Sequence, residues 1–438
     1  MKKMKPDFPK LINWSVSIAI CTVLLMFPVD SPAQMHPTIG LAPDDGFPVW
    51  LTPDPIDYLP LRTNQTSGMD WIATDTDPNG LPRHYLLIAD DSDEGSINVI
   101  SVQSVCDDPS IVFHPTNLTL PPPEVSMIPI EPGHGYDWEA VATHPWSESI
   151  FLSQEGLPGE IGIYHAMLTP GDVRAGDNAA GPAGEVIMLP GHIANIRKLD
   201  LPGWNEAFAD HLYENRGIEG IACSKNRLFL GLESPYEFPD RMISELSTVL
   251  AVWKIDSGDP SDMESSELLS IHDTANWEET LGFRIETICG LDAIDDNHIF
   301  GIDRDNACLF VVELDNAGDF VDGRIFRLAT PGPEPLPSDE CPDIDHPPRL
   351  VRPSLESVAL VPDGDDSYFI YLAVDPWPPG WALMEEDWEC PGYEARLISL
   401  LPALYRYSVP VDLLFPRSDQ SDDNLSALTS SPEKTAIR

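Results

Sequence analysis

An all-β fold, a β-propeller of four-stranded antiparallel blades, is predicted by three observations. A two-part segment recurs five times along the chain, each copy reads as a β-hairpin, and further strand-like runs fill the spaces between copies.

The first half of the segment is an acid, any residue, Ile or Val, then usually Ala: "DWIA" from Asp70, "EAVA" from Glu139, "EGIA" from Glu219, "DAID" from Asp292 and "ESVA" from Glu356. The second half is an apolar run closed by another acid: "YLLIAD" to Asp90, "IFLSQE" to Glu155, "LFLGLE" to Glu233, "IFGID" to Asp303 and "FIYLAVD" to Asp375. Turn-forming stretches such as "TDPNG", "SKNR" and "PDGDDS" separate the halves, so each copy is strand, tight turn, strand. The first acids stand 69, 80, 73 and 64 residues apart, room enough for two more strands per unit. Runs such as "IGIYHAML", "EVIMLP", "TVLAVWKI", "CLFVVEL", "GRIFRLA" and "ALYRYSV" supply them. Five blades are counted. Residues 36–66, with "FPVWL" and "IDYLPL", form part of a sixth or supply the strand that closes the ring beside "ALYRYSV". A pair of β-sandwiches accounts less well for a hairpin repeated at this period.

Ahead of the repeats, four lysines precede the apolar stretch "LINWSVSIAICTVLLMFP", and Ser31-Pro32-Ala33 follows, which reads as a signal peptide over residues 1–33. An uncleaved anchor is the rival reading. Cys21 follows the bulky Ile20, which argues against a lipoprotein cysteine. The expected product is secreted or periplasmic, monomeric and off the membrane after cleavage: one propeller domain over residues 34–416 and a Ser- and Asp-rich disordered tail over 417–438. The formal net charge of −47 excludes nucleic acid as a partner and favours cations. Six cysteines follow the leader, with no CxxC pair. Cys289 and Cys308 flank the fourth hairpin, and Cys341 and Cys390 sit in two long loops, so these are the expected disulfides. Cys106 and Cys223 stay unassigned.

In a propeller the first strand of each blade is the inner one, so an acid at its start and another at the end of the antiparallel second strand share one rim. Asp70, Asp90, Glu139, Glu155, Glu219, Glu233, Asp292, Asp303, Glu356 and Asp375 would surround one channel mouth. Clustered carboxylates without His or Cys suit a hard cation, Ca2+ above all. Alternatively they bind backbone amides of neighbouring blades and close the ring. Glu219 and Glu233 face each other across one hairpin and are candidates for catalysis as well as for metal. Arg216, Arg304 and Arg352 lie close to rim acids, where they hold an anionic substrate or pair with those acids. His134, in "EPGHGYDWE", is a candidate general acid or base, or a plain loop residue. The long loops after Glu233, before Ser354 and after Asp375 leave from the same rim. "DTDPNG" opens like an EF-hand loop, but Leu86 stands where the bidentate Glu belongs, so it reads as a turn. No GxSxG, HExxH, Walker A or dinucleotide fingerprint occurs.

"GIEGIA…LFLGLES", "SLESVAL" and "GLDAID" resemble the phytase-like propeller family, often described as having esterase-like activity of phytase, over about Asp70 to Val409. The resemblance implies an exported propeller that hydrolyses phosphoesters or esters, with channel-mouth carboxylates holding calcium that binds substrate phosphate and activates water. Only the rim acids carry over, as candidate ligands by position. The leading expectation is therefore a secreted, calcium-dependent hydrolase acting on a small anionic substrate at the acidic rim. The alternatives are a non-catalytic propeller that binds a ligand or protein, and a lactonase-like propeller with one central calcium.

Overall fold

The computed structural model describes residues 39–44, 49–50, 66–76, 82–90, 96–103, 124–128, 138–155, 161–174, 188–208, 212, 217–233, 248–256, 258–262, 265–304, 306–328, 354–364, 366–375 and 403–415. The expected leader, the tail and most of the long rim loops lie outside these residues. No described helix is long and apolar enough to cross a membrane.

The described chain opens with two short strands, β1 (Ile39–Leu41) and β2 (Val49–Trp50). Blade one then comprises β3 (Thr66–Thr76), β4 (Pro82–Asp90), β5 (Ser96–Gln103) and β6 (Glu124–Ile128). Blade two comprises β7 (Trp138–Thr143), β8 (Ser149–Gln154), β9 (Gly162–Arg174) and β10 (Met188–Lys198). Blade three comprises β11 (Ile218–Cys223), β12 (Arg227–Leu232), β13 (Val249–Lys254) and β14 (Glu267–Asp273). Blade four comprises β15 (Gly290–Ala293), β16 (His298–Asp303), β17 (Cys308–Leu314) and β18 (Phe320–Leu328). Blade five comprises β19 (Ser354–Asp363), β20 (Ser367–Asp375) and β21 (Ala403–Pro410).

Among the described residues each blade is its own hydrogen-bonded sheet, five in all, with strands in chain order apart from β1 and β2. The first strands of consecutive blades touch in sequence: β3 on β7, β7 on β11, β11 on β15, β15 on β19, and β19 back on β3. That cyclic contact makes the chain a closed five-bladed β-propeller with these strands innermost. The N-terminal strands settle the sixth-blade question. β2 pairs antiparallel with β21 through Val49↔Leu404 and supplies the fourth strand of blade five, while β1 adds a parallel edge strand to β18 of blade four. Between them Asp44 accepts from the Arg406 Nε at 2.6 Å and from the Ser408 backbone N–H at 3.0 Å. Strands β1 and β2 thus join blades four and five, and among the described residues ring closure needs no further blade.

The strand sequences are continuous apolar runs, not alternating ones, because both faces of a blade are covered by neighbours. β7, β8, β11 and β12 are buried at every position, whereas the outermost β14 is not. Successive side chains still point to opposite faces. In β12, Leu228 and Leu230 join Trp253 in the seam with blade two, while Phe229 joins Phe310 and Ile299 in the seam with blade four. The other seams are filled alike: Tyr85 and Leu87 against Trp138 and Leu152, Phe300 and Phe326 against Leu355 and Tyr405, and Tyr371 and Leu404 against Met69 and Ile88. Burying each large side chain stabilises by roughly 1.5–3 kcal/mol, so the five seams dominate the energetics.

Candidate functional site

Four inner strands carry a register shift near their start; in β3 it falls between Thr66 and Met69, away from Asp70, whereas in β7, β11 and β19 it falls on a glutamate. The register shifts between Trp138 and Ala140, between Ile218 and Gly220, and between Leu355 and Ser357, leaving Glu139, Glu219 and Glu356 as the extra residues. A bulge re-aims the side chain it inserts, here always a glutamate. The acids of β3 and β15 differ. Asp70 and Asp292 are ordinary paired residues, opposite Leu87 and Phe300, each two positions after a glycine. Those glycines are close approaches: a Cβ on Gly68 would stand 2.3 Å from the Ala140 Cα, and one on Gly290 3.0 Å from the Glu356 carbonyl oxygen.

The two classes do different work. Asp70 accepts hydrogen bonds from the Thr143 backbone N–H at 2.6 Å and from the Thr143 hydroxyl. Asp292 accepts from the Leu360 N–H, also at 2.6 Å. Thr143 and Leu360 each lie four residues beyond the bulged glutamate of the next blade, so these aspartates tie inner strand to inner strand. Asp303 is fully buried and accepts from Glu286 N, Thr287 Oγ1 and both Asn306 N and Nδ2, which pins the loops flanking blade four. The sequence pattern had treated all ten acids as one ring. The hydrogen bonds separate these three from the glutamates.

The glutamates converge. Glu219 stands at the start of β11 and Glu233 just beyond the end of β12, where its N–H donates to the Gly217 carbonyl, so both acids of this hairpin do sit at one end. Arg304, immediately after β16, donates through Nη1 to the Glu356 Oε1 at 2.6 Å and through Nη2 to the Glu233 Oε1 in a very short contact. Its Nη1 is 3.9 Å from the Glu219 Oε2. One guanidinium from blade four therefore faces three carboxylates from blades three and five. Burial opposes its charge, and the surrounding Cys289, Glu356, Glu219 and Glu233 hold it well above the usual arginine range. Glu219 is only 9% exposed, and its Oε2 is buried without receiving a hydrogen bond. Burial first, then the charge of Glu233 and the nearby Glu356 and Glu155, push its carboxyl well above the usual range despite Arg304.

Cys289 completes the cluster. Its sulfur and one oxygen each from Glu219 and Glu356 all lie within 4.8 Å of one another. The expected Cys289–Cys308 disulfide is absent: both are buried free thiols. The Cys289 N–H pairs with Ile302 of β16, and Cys308 pairs with Asp303 on the other side of the same strand, so β16 lies between the two cysteines. Two strand spacings, roughly 9–10 Å, exceed the reach of a disulfide. Burial also pushes the Cys289 thiol well up, and sulfur is a poor ligand for a hard cation. The carboxylates do fit one: buried oxygen donors in excess of positive charge, with one oxygen lacking any hydrogen bond.

Glu139 and Glu155 are buried at the same end of blade two. Asp90 and Asp375 close β4 and β20, but their side chains are outside the described residues, as are His134, Arg216, Arg352, Cys106, Cys341 and Cys390 in full.

No family model matches the sequence, and no curated protein does. Similar solved structures include a PQQ-bound aldose sugar dehydrogenase from Streptomyces coelicolor, at 10% identity over 85% of this chain and 100% of that one, with a TM-score of 0.34. A GH93 α-L-arabinofuranosidase of Fusarium graminearum shares 10% identity over 84% of this chain and 98% of its own, with a TM-score of 0.35. The calcium-binding protein regucalcin from Agrobacterium tumefaciens shares 8% identity over 86% and 96%, with a TM-score of 0.31. At such scores the likenesses assign no function.

Proposed function

We propose that the chain is an exported propeller hydrolase in which Glu219 and Glu356 bind one hard divalent cation, calcium first, and that it acts on an ester or lactone. The carrying observation is the Glu219 Oε2, buried among carboxylates and receiving no hydrogen bond. When bound, a calcium ion there supplies Lewis-acid polarisation of a substrate carbonyl or phosphoryl oxygen. Of the chain's own groups, Glu219 and Glu356 bind it, Glu233 and Glu155 add negative charge around it, and Arg304 offsets part of that charge.

A lactonase-like site with one cation is favoured here over the several-calcium arrangement implied by resemblance to the phytase-like family. Asp70, Asp292 and Asp303 are engaged with backbone amides, which takes three of the rim acids out of reach of further ions. Three glutamates against one arginine also repel a polyanion more than a neutral ester.

Purified protein assayed against aryl esters, lactones, simple phosphoesters and phytate, with calcium and then with chelator, tests the reading. Calcium-dependent turnover of esters or lactones is the expected result. Turnover of phytate in preference to these overturns the substrate class. No turnover of any substrate, with a melting temperature that still rises with calcium, leaves a cation-stabilised binding propeller.

A further inference from the structure

We propose that Arg304 is a built-in competitor for the cation: its guanidinium and a divalent ion take the same place against Glu356 and Glu219, so that binding the ion requires Arg304 to leave. This rests on the cation reading above. The argument is steric. A calcium ion takes its oxygen ligands at about 2.3–2.6 Å, and the Arg304 Nη1 already stands 2.6 Å from the Glu356 Oε1 and 3.9 Å from the Glu219 Oε2. An ion sharing those two oxygens on the arginine's side of them would overlap the guanidinium. Arg304 has somewhere to go, because its side chain is 26% exposed and its second arm is held separately by Glu233.

Two consequences follow. The guanidinium keeps the glutamate cluster tolerable when no ion is bound, since buried carboxylates without a counter-charge repel one another. It also makes the site selective by charge: a monovalent ion brings no more charge than the arginine it must displace, whereas a divalent ion brings twice as much. The sign that a ligand belongs here is the Glu219 Oε2, buried and within ion-pair distance of Arg304 but receiving no hydrogen bond.

Calcium titrated calorimetrically into wild type and Arg304→Gln tests this without any substrate. The variant is expected to bind calcium about tenfold more tightly, or better. In wild type, calcium is expected to speed modification of Arg304 by phenylglyoxal, read by peptide mass, because the freed guanidinium is more accessible. If Arg304→Gln does not fold, that wild-type measurement decides alone. Equal or weaker calcium affinity in the variant overturns the competition, as does protection of Arg304 by calcium. Calcium binding to the variant but not to wild type keeps the competition and removes the calcium-dependent hydrolase. Binding to neither removes both.

Discussion

Asp70→Ala is expected to cost roughly 2–4 kcal/mol of stability, by the same amount with or without calcium. The substitution removes the acceptor for the Thr143 N–H and hydroxyl, and it leaves a buried amide at the seam between blades one and two without its partner. Hydrogen bonds to a charged group are worth about 1.5–3 kcal/mol each, and the loss here is not screened by solvent. Asp292→Ala, which removes the acceptor for Leu360 N–H, is expected to act in the same direction at the seam between blades four and five. Denaturant unfolding with added calcium and with chelator distinguishes the roles. A penalty that appears only in calcium would make these aspartates metal ligands instead of inter-blade ties.

Glu219→Gln is expected to do the opposite. Burial raises the folded-state pKa of Glu219 above that of the unfolded chain. Below the ordinary glutamate range both states are protonated there, and the residue carries no penalty. As pH rises from that range towards the raised folded value, the unfolded chain ionises first and the metal-free folded state loses stability. Glutamine removes that slope while Glu233 and Glu356 still hold Arg304. The metal-free variant should therefore be more stable than wild type at neutral pH and equal to it in acid. Calcium should flatten the wild-type slope, because it favours the ionised carboxylate. Melting curves across pH without metal check this; a variant less stable at neutral pH, or one with the wild-type slope, would count against a strained Glu219.

The propeller was legible in the sequence because its physics is repetitive. Each blade needs a hairpin with both faces apolar, and "IACSKNRLFLGL" or "VALVPDGDDSYFIYLAV" cannot easily be anything else. The closing strand was legible only as an alternative, since two paired residues, Val49 and Trp50, leave almost no pattern. The site was half legible. That Glu219 and Glu233 share one end follows from antiparallel pairing alone. That Asp70 and Asp292 are different from the glutamates depends on register, and a one-residue bulge at Glu139, Glu219 and Glu356 is invisible to a motif aligned on its first acid. The cysteines mislead for a related reason: Cys289 and Cys308 flank a hairpin in sequence, but the strand between them sets their separation. Arg304 could be placed near the acids by sequence, whereas its choice of Glu233 and Glu356 as partners comes from the contact between blades three, four and five.

Calorimetric titration of calcium into wild type and Glu219→Gln shows whether Glu219 and Glu356 hold a single cation. One ion per chain in wild type, lost in a variant that remains folded, is the predicted result. Several ions per chain, or the same binding in Glu219→Gln as in wild type, would contradict it.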